Sequence, residues 1–289
     1  VPLAYLASCS RLPNGDEDDG ARLLAACERA GLNVSWQVWD DRTVDWEKAD
    51  VVVVRATWDY ATRLEEFLAW AEARTNLVNA AALLRWNSDK RYLRELGDAG
   101  VPIVPTTWVK PGDEPEFPES GDYVVKPTVG AGSVGAARFS TADPTAPAAA
   151  RAHLTDLHRV GRIAMVQPYL ADVDTAGETA LIFIGAEFSH AIRKAPMLPS
   201  GTVNPVDGAA LFVSEMITPR KPTDAERVLA DQVLALVPGD LLYARVDLLP
   251  TPAGPVLIEL ELIEPSLFLG HHPAAADRLA TAIARRCAL

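Results

Sequence analysis

The most constraining stretch of the chain is Ala244 to Leu269, ARVDLLPTPAGPVLIELELIEPSLFL. Two apolar runs, Leu241 to Leu249 and Val256 to Ile263, flank a Pro- and Gly-rich turn and predict two antiparallel strands. Side chains alternate between strand faces, so Glu259 and Glu261 share one face, and a turn centred near Thr251 and Pro252 sets Asp247 opposite Glu259. Three carboxylates then crowd one spot. Like charges directly opposite each other are destabilising, so positive charge is required there; an all-oxygen cluster suits Mg²⁺ better than zinc, and Arg245 on the same face is the competing source. The alternative is an edge hairpin with its acidic side in water.

A chain of 289 residues can bury a sizeable core and predicts two or three compact lobes. No apolar run approaches the roughly 18 residues a membrane span needs, and no signal-peptide pattern opens the chain, so a cytoplasmic location with no membrane partner is expected. The net charge of −12 argues against non-specific nucleic-acid binding, while leaving room for a local basic site for phosphates. Cys9, Cys27 and Cys287 are far apart, odd in number and without metal-ligand spacing, which suits buried inert thiols in a reducing compartment.

Residues 1 to about 80 alternate strand and helix patterns as a parallel α/β sheet requires. Strands are predicted at Leu3 to Ala7, Val34 to Val38 and Val51 to Val54, the last apolar on both faces. Asp16 to Asp19 precede a helix carrying Leu23, Leu24 and Cys27 and ending at Gly31; acids there complement the helix dipole. Thr62 and Glu65 form the capping box of a second helix, with Leu64, Phe67, Leu68 and Ala71 as its apolar stripe. Between strand and helix, at the carboxyl end of the strand where ligands of open α/β sheets bind, lie Arg55, Trp58, Asp59 and Tyr60. They are substrate candidates, with a solvated turn as the alternative. A helix from Ser88 to Ala99 carries Lys90 near its start, and residues 111 to 121 are loop-like.

Tyr123 to Phe139, YVVKPTVGAGSVGAARF, predicts a strand ending at Lys126, a glycine loop and a returning strand from Ala136. Gly130, Gly132 and Gly135 match GxGxxG, but the β-like segment that follows is not the helix a dinucleotide fingerprint needs. Such a hairpin can lay backbone N–H groups on phosphate oxygens, with Ser133 adding a hydroxyl and Lys126 a charge. After a helix over about 145 to 159, Ile163 to Gln167 predicts a strand with Gln167 to Leu170, QPYL, as its exit, where Pro168 should break the pairing. Strands Glu178 to Ile184 and Glu187 to Ile192 lead to Arg193 and Lys194, which face solvent or, beside a phosphate, stabilise its charge. Ser200 to Gly208 is a loop long enough to move. Thr223 and Glu226 cap a helix running to Leu236, and a last helix spans about Pro273 to Ala288.

In their order along the chain, these segments resemble the ATP-grasp superfamily over essentially residues 1 to 270, and most of all its glutathione-synthetase-like and ribosomal-protein glutamate-ligase branch. The resemblance implies an α/β fold with α+β lobes: an N-terminal parallel lobe (1–85), a linking helix and strand (86–110), a central lobe with a glycine-rich lid (111–170) and a C-terminal lobe with the acidic hairpin (171–289). It implies that ATP and Mg²⁺ are used. Lys90 and Lys126 would contact phosphates, Gly130, Gly132, Ser133 and Gly135 would form the lid, and Gln167, Pro168, Tyr169 and Leu170 would read adenine. Glu178, or Asp174, would lie near the ribose. Arg193 and Lys194 would neutralise the transferring phosphoryl group, and Asp247, Glu259 and Glu261 would hold Mg²⁺.

Two departures stand out. Position 261 carries Glu where the usual Glu-x-Asn motif has Asn, and APMLPSGTVNPVDG, Ala195 to Gly208, replaces the basic segment of many peptide-forming relatives. The implied chemistry is carboxylate activation to an acyl phosphate and capture by a nitrogen, on a small amino-acid-like substrate. An intramolecular version, similar to the cycloserine-pathway closure of O-ureidoserine, and an intermolecular amino-acid or peptide ligase both stay open, as does homo-oligomerisation. A nicotinamide-dependent dehydrogenase would need a helix directly after Gly135; a non-catalytic ATP-binding module would have no use for the three acids.

Overall fold

The computed structural model describes residues 1–15, 19–196, 198–199, 201–204 and 216–288. In the N-terminal part, β1 (Leu3–Ser8), α1 (Gly20–Arg29), β2 (Asn33–Val38), β3 (Val51–Ala56), α2 (Leu64–Glu72) and β4 (Leu77–Val78) build a parallel sheet in the order β2-β1-β3-β4. Every residue of β3 is buried, as its unbroken apolar run requires. Two helices follow, α3 (Ala81–Asn87) and α4 (Tyr92–Asp98).

The second sheet is antiparallel, β5-β8-β6-β7, from β5 (Thr107–Val109), β6 (Asp122–Pro127), β7 (Ala137–Ser140) and β8 (Ala164–Pro168), backed by α5 (Ala146–Arg159). Because β5 joins it, this sheet begins at Thr107, ahead of the loop at 111–121. Gly130 to Gly135 therefore connect two hairpin strands, β6 and β7, and the helix a dehydrogenase would need after Gly135 is absent.

The third sheet comprises β9 (Glu178–Ile184), β10 (Glu187–Lys194), β11 (Ile217–Arg220), β12 (Tyr243–Leu249) and β13 (Val256–Glu261), in the order β11-β10-β9-β12-β13, preceded by the short α6 (Val173–Ala176). Its alternating residues feed two cores. Leu181 and Phe183 of β9 pack with Leu229 and Val233 of α7 (Asp224–Ala235), which starts at the predicted Thr223/Glu226 capping box. Ala180 and Ile182 pack with Leu279 and Ile283 of α8 (Ala275–Arg286), Leu23 of α1 and Leu6 of β1, so the first and third sheets share a core. No helix among the described residues is long and apolar enough to cross a membrane. Cys9 and Cys27 are buried free thiols, and burial pushes Cys27 up to about 12, away from reactive thiolate.

Four local expectations are corrected. The helix predicted from Ser88 starts at Tyr92 instead, because Lys90 gives its backbone N–H to the Thr128 carbonyl and sits in the turn between α3 and α4. Thr62 does not cap α2: it closes the 3₁₀ turn Trp58–Thr62 by donating its hydroxyl to the Asp59 carbonyl, and the helix begins two residues on. Asp19 leaves α1 uncapped and accepts the Leu267 and Leu269 N–H groups; residues 16–18 lie outside the described residues. Pairing does not stop at Pro168, since Tyr169 N–H still reaches the Asp122 carbonyl. The loop expected at Ser200 to Gly208 lies outside the described residues at 200 and 205–208.

The edge strand β13 is bridged at Leu257 by the backbone of Pro102 and Val104, and beyond that it is sealed by side chains. Asn87 bonds the Leu260 carbonyl and the Leu262 N–H, and the Tyr92 hydroxyl bonds both polar groups of Leu260. Asn79 donates to the Tyr243 and Leu262 carbonyls and accepts from Leu242 N–H, all buried. These amides meet the hydrogen-bonding demand of an exposed edge. Asn79→Ala strands three buried backbone groups, so a loss of about 2–4 kcal/mol in urea-melt stability is expected. A loss below about 1 kcal/mol would mean that water replaces the amide.

Candidate active site

The register of the hairpin is as predicted: Asp247 faces Glu259 and Arg245 faces Glu261. In the same sheet, Lys194 of β10 pairs with Glu178 of β9. All lie towards one end of the sheet face whose other end is apolar core. This wall bounds a cavity of about 540 Å³, closed on a second side by Lys126 and the glycine hairpin and on a third by Trp58 and Tyr60. That volume is in the range of small-molecule sites.

Charge on this wall is balanced by protein cations. Lys194 Nζ lies 2.7 Å from Asp247 and 2.5 Å from Glu178; Arg245 is 2.9 Å from Asp247 and also bonds Glu261; Lys90 is 3.1 Å from Glu259. Burial alone would raise the Asp247 carboxyl, but Arg245 and Lys194 outweigh it and hold it well below the usual carboxylate range. Glu259 is likewise held low, with Lys90 and Lys126 overcoming burial. For Glu178 and Glu261 burial wins against Lys194 and Arg245 respectively, and each is pushed up to about 7. Burial beside Lys90 brings Lys126 down to about 8, despite the charge of Glu259. Among the described residues the Lys126 side chain has no ion pair or hydrogen bond, which leaves a desolvated cation on the cavity lining.

The acids do not form a metal cage. Among the described residues no group of three or more His, Cys, Asp or Glu is arranged to hold a metal ion. The positive charge that three carboxylates require comes from Arg245, the competing source raised by the sequence, joined by Lys194 and Lys90. The donors are nevertheless all oxygen, and Mg²⁺ characteristically takes one or two carboxylates together with phosphates rather than a full protein cage. The donor chemistry fits Mg²⁺ on those terms.

The other predicted residues divide. Gly130, Gly132, Ser133 and the run Gln167 to Leu170 line the cavity, and Lys90 Nζ also holds the Gly130 carbonyl at 2.8 Å. Gly132 and Ser133 have φ of 58° and 61°, two consecutive left-handed residues that turn the loop tip. Gly135 lines only a smaller adjoining cavity of about 60 Å³. Glu178, not Asp174, reaches the main cavity; Asp174 accepts from the Tyr169 hydroxyl. Lys194 reaches it and Arg193 does not: the Arg193 guanidinium donates to the Thr175 and Ala176 carbonyls on the opposite face, as strand alternation dictates. Gly177 permits this bracing, since a Cβ there would meet the Lys194 carbonyl oxygen at 2.6 Å.

Of the four substrate candidates, Trp58 and Tyr60 line the main cavity. Asp59 turns away to the Trp39 indole N–H and Arg63. Arg55 is buried behind the wall, bonding the Pro265 carbonyl and lying over the Tyr243 ring. One charged lining residue escaped sequence reasoning altogether. Glu264, three positions beyond Glu261, is 6% exposed, and burial next to the Glu261 charge pushes it well above the usual carboxylate range. Its off-register spacing from the hairpin acids gave no face to assign.

An antiparallel sheet with a glycine hairpin, closing over a second antiparallel sheet with a charged face, defines an ATP-grasp ligase. D-alanine–D-alanine ligase from Bacillus anthracis complexed with ATP superposes with a TM-score of 0.67 at 14% identity, covering 100% of this chain and 98% of that one. A RimK-domain ATP-grasp protein from Sphaerobacter thermophilus gives 0.64 at 16%, over 98% and 99%. The crystal structure of D-cycloserine synthetase DcsG gives 0.84 at 34%, over 99% of both chains. The family described as D-cycloserine synthetase DcsG, N-terminal domain, matches residues 4–81. The cycloserine biosynthesis protein DcsG of Streptomyces lavendulae is 37% identical over 286 residues, 91% of this chain and 92% of that protein. The chain belongs to the DcsG family of ATP-grasp ligases.

Proposed function

We propose that the chain is an ATP- and Mg²⁺-dependent carboxylate–amine ligase, ADP-forming, that closes a small amino-acid-like substrate on itself in cycloserine-type antibiotic biosynthesis. The observation that carries this reading is the unpaired Lys126 at the glycine hairpin, facing the wall of Lys90, Lys194 and Arg245, in a chain 37% identical to DcsG. A cavity of about 540 Å³ that must accept a nucleotide as well favours a small substrate over a peptide.

In this reading Lys126 and Lys90 bind phosphates, while the hairpin at Gly130, Gly132 and Ser133 covers them with backbone N–H groups and Gly135 shapes its base. Gln167 to Leu170 lie against the adenine, Glu178 is near the ribose, and Lys194 neutralises the phosphoryl group in transit. Arg193 supports Lys194 through the strand rather than touching the phosphate. Asp247, Glu259 and Glu261 would hold Mg²⁺ together with the phosphates, Glu259 and Glu261 each releasing one cation to do so. Bound there, Mg²⁺ supplies charge neutralisation for phosphoryl transfer.

The substrate carboxylate oxygen attacks the γ-phosphorus and ADP leaves, giving an acyl phosphate. The substrate nitrogen then attacks the acyl carbon, loses its proton, and phosphate departs. Positioning and electrostatics do the chemical work, and the closed hairpin keeps water from the acyl phosphate. The test is ADP release with ATP and Mg²⁺ across serine-derived ureido, hydroxamate and dipeptide compounds, with products weighed by mass spectrometry. ADP that depends on O-ureidoserine, with a product of one substrate molecule, is expected. ADP formed only with two joined substrates would replace cyclisation by intermolecular ligation; no ADP with any carboxylate would reject the ligase.

A further inference from the structure

Glu264 lines the main cavity together with Trp58, Tyr60, Ser266 and Phe268. It is 6% exposed, yet among the described residues it has no hydrogen bond to its carboxyl and no cation within ion-pair distance. Its backbone is tightly held. The Glu264 carbonyl accepts from the Trp58 indole N–H at 3.0 Å, the Pro265 carbonyl from Arg55 at 2.9 Å, and Asp19 takes the N–H groups of Leu267 and Leu269. The side chain is therefore presented to the cavity by a turn anchored at four points. A buried carboxyl in such a position requires either a proton or a cationic partner.

The cavity is polarised. Lys126 stands at the glycine hairpin, Lys194 and Arg245 are held by Glu178, Asp247 and Glu261, and Arg245 also lies 5.5 Å over the Phe268 ring, whereas Glu264, whose carbonyl the Trp58 indole holds, is left without a cation among the described residues. The ring faces of Trp58 and Tyr60 in the same lining also favour a cation. An amino acid carries opposite charges on its two ends. Resting on the ligase reading above, we infer that Glu264 receives the α-ammonium group of the substrate and so directs its carboxylate towards the phosphoryl group. Glu264 is then a specificity-determining residue for the amino-acid class of substrate.

The test compares wild type, Glu264→Gln and Glu264→Asp with O-ureidoserine and with its analogue lacking the α-amino group, 3-(ureidooxy)propanoate. Thermal melts verify folding, and Glu264→Asp, which keeps the charge, carries the comparison should Glu264→Gln not fold. Glu264→Gln is expected to raise KM for O-ureidoserine by about 10- to 100-fold, the loss of one charge-assisted hydrogen bond, with KM for ATP little changed. The wild type should use the des-amino analogue at a similarly raised KM, and the substitution should then add nothing further, since the interaction is already gone. An unmoved KM for O-ureidoserine, or an equal penalty on both compounds, would overturn the assignment. Calorimetric binding of O-ureidoserine separates this failure from that of the ligase reading. Were the wild type to release no ADP, binding lost in Glu264→Gln would still support the ammonium site. Equal binding by both proteins, or none by the wild type, would overturn it.

Discussion

Replacing Asp247 with alanine is expected to lower the stability of the protein by about 3 kcal/mol, the low end of the 3–5 kcal/mol typical for breaking a buried ion pair. The carboxylate is 1% exposed and is shared by Lys194 and by two nitrogens of Arg245. Removing it leaves both cations buried with one acid each, Glu178 for Lys194 and Glu261 for Arg245, and those partners keep the loss from reaching the upper end. The pH dependence has a definite sign. The folded Asp247 carboxyl lies below its ordinary value, so its contribution is complete above about pH 4 and is lost as pH falls through the folded value. The gap between wild type and Asp247→Ala should thus narrow in acid. Urea melts at pH 7 and pH 3 decide the matter. A difference below about 1 kcal/mol at pH 7 would show that water, not Asp247, satisfies the two cations.

The hairpin that carries Asp247 was legible because period-two alternation and a Pro/Gly turn determine which side chains face one another. Register, the glycine hairpin and the strand pair ending at Lys194 followed from the same rule. Tertiary relations were less accessible. That Lys194 and Lys90 would join Arg245 in neutralising the acids depended on where long, flexible side chains reach, and the place of Lys90 depended on a backbone bond to Thr128, 38 positions away. Strand alternation could have separated Arg193 from Lys194, since adjacent residues point to opposite faces. Thr62 carried a good local capping signal and was taken by another partner, and Asp19, read only as a charge at the start of a helix, holds the Leu267 N–H, which no local pattern records. Asn79, Asn87 and Tyr92, which seal β13, lie more than 160 positions from their partners and looked like ordinary polar residues of helices and loops.

Lys126 should behave in the opposite way to Asp247, with function lost and stability kept or improved. It lies among cavity-lining groups with no ion pair among the described residues, near Lys90, and burial lowers it to about 8. In the ligase reading its charge is repaid only when phosphates arrive, so Lys126→Met is expected to cut kcat/KM for ATP-dependent ADP release by roughly 10²- to 10³-fold, the scale for losing one preorganised charge stabiliser. The same substitution removes a cation that the empty site disfavours, and the thermal midpoint at pH 7 should be unchanged or higher. Because the folded value is below that of the unfolded chain, the unfolded state binds more protons between about pH 8 and 10.5, and wild-type stability gains from Lys126 as pH rises through that window. Any advantage of Lys126→Met is therefore full below pH 8 and disappears towards pH 10.5. A variant that loses activity but melts well below the wild type at pH 7 would instead make Lys126 a structural cation, and the phosphate assignment would fall with it.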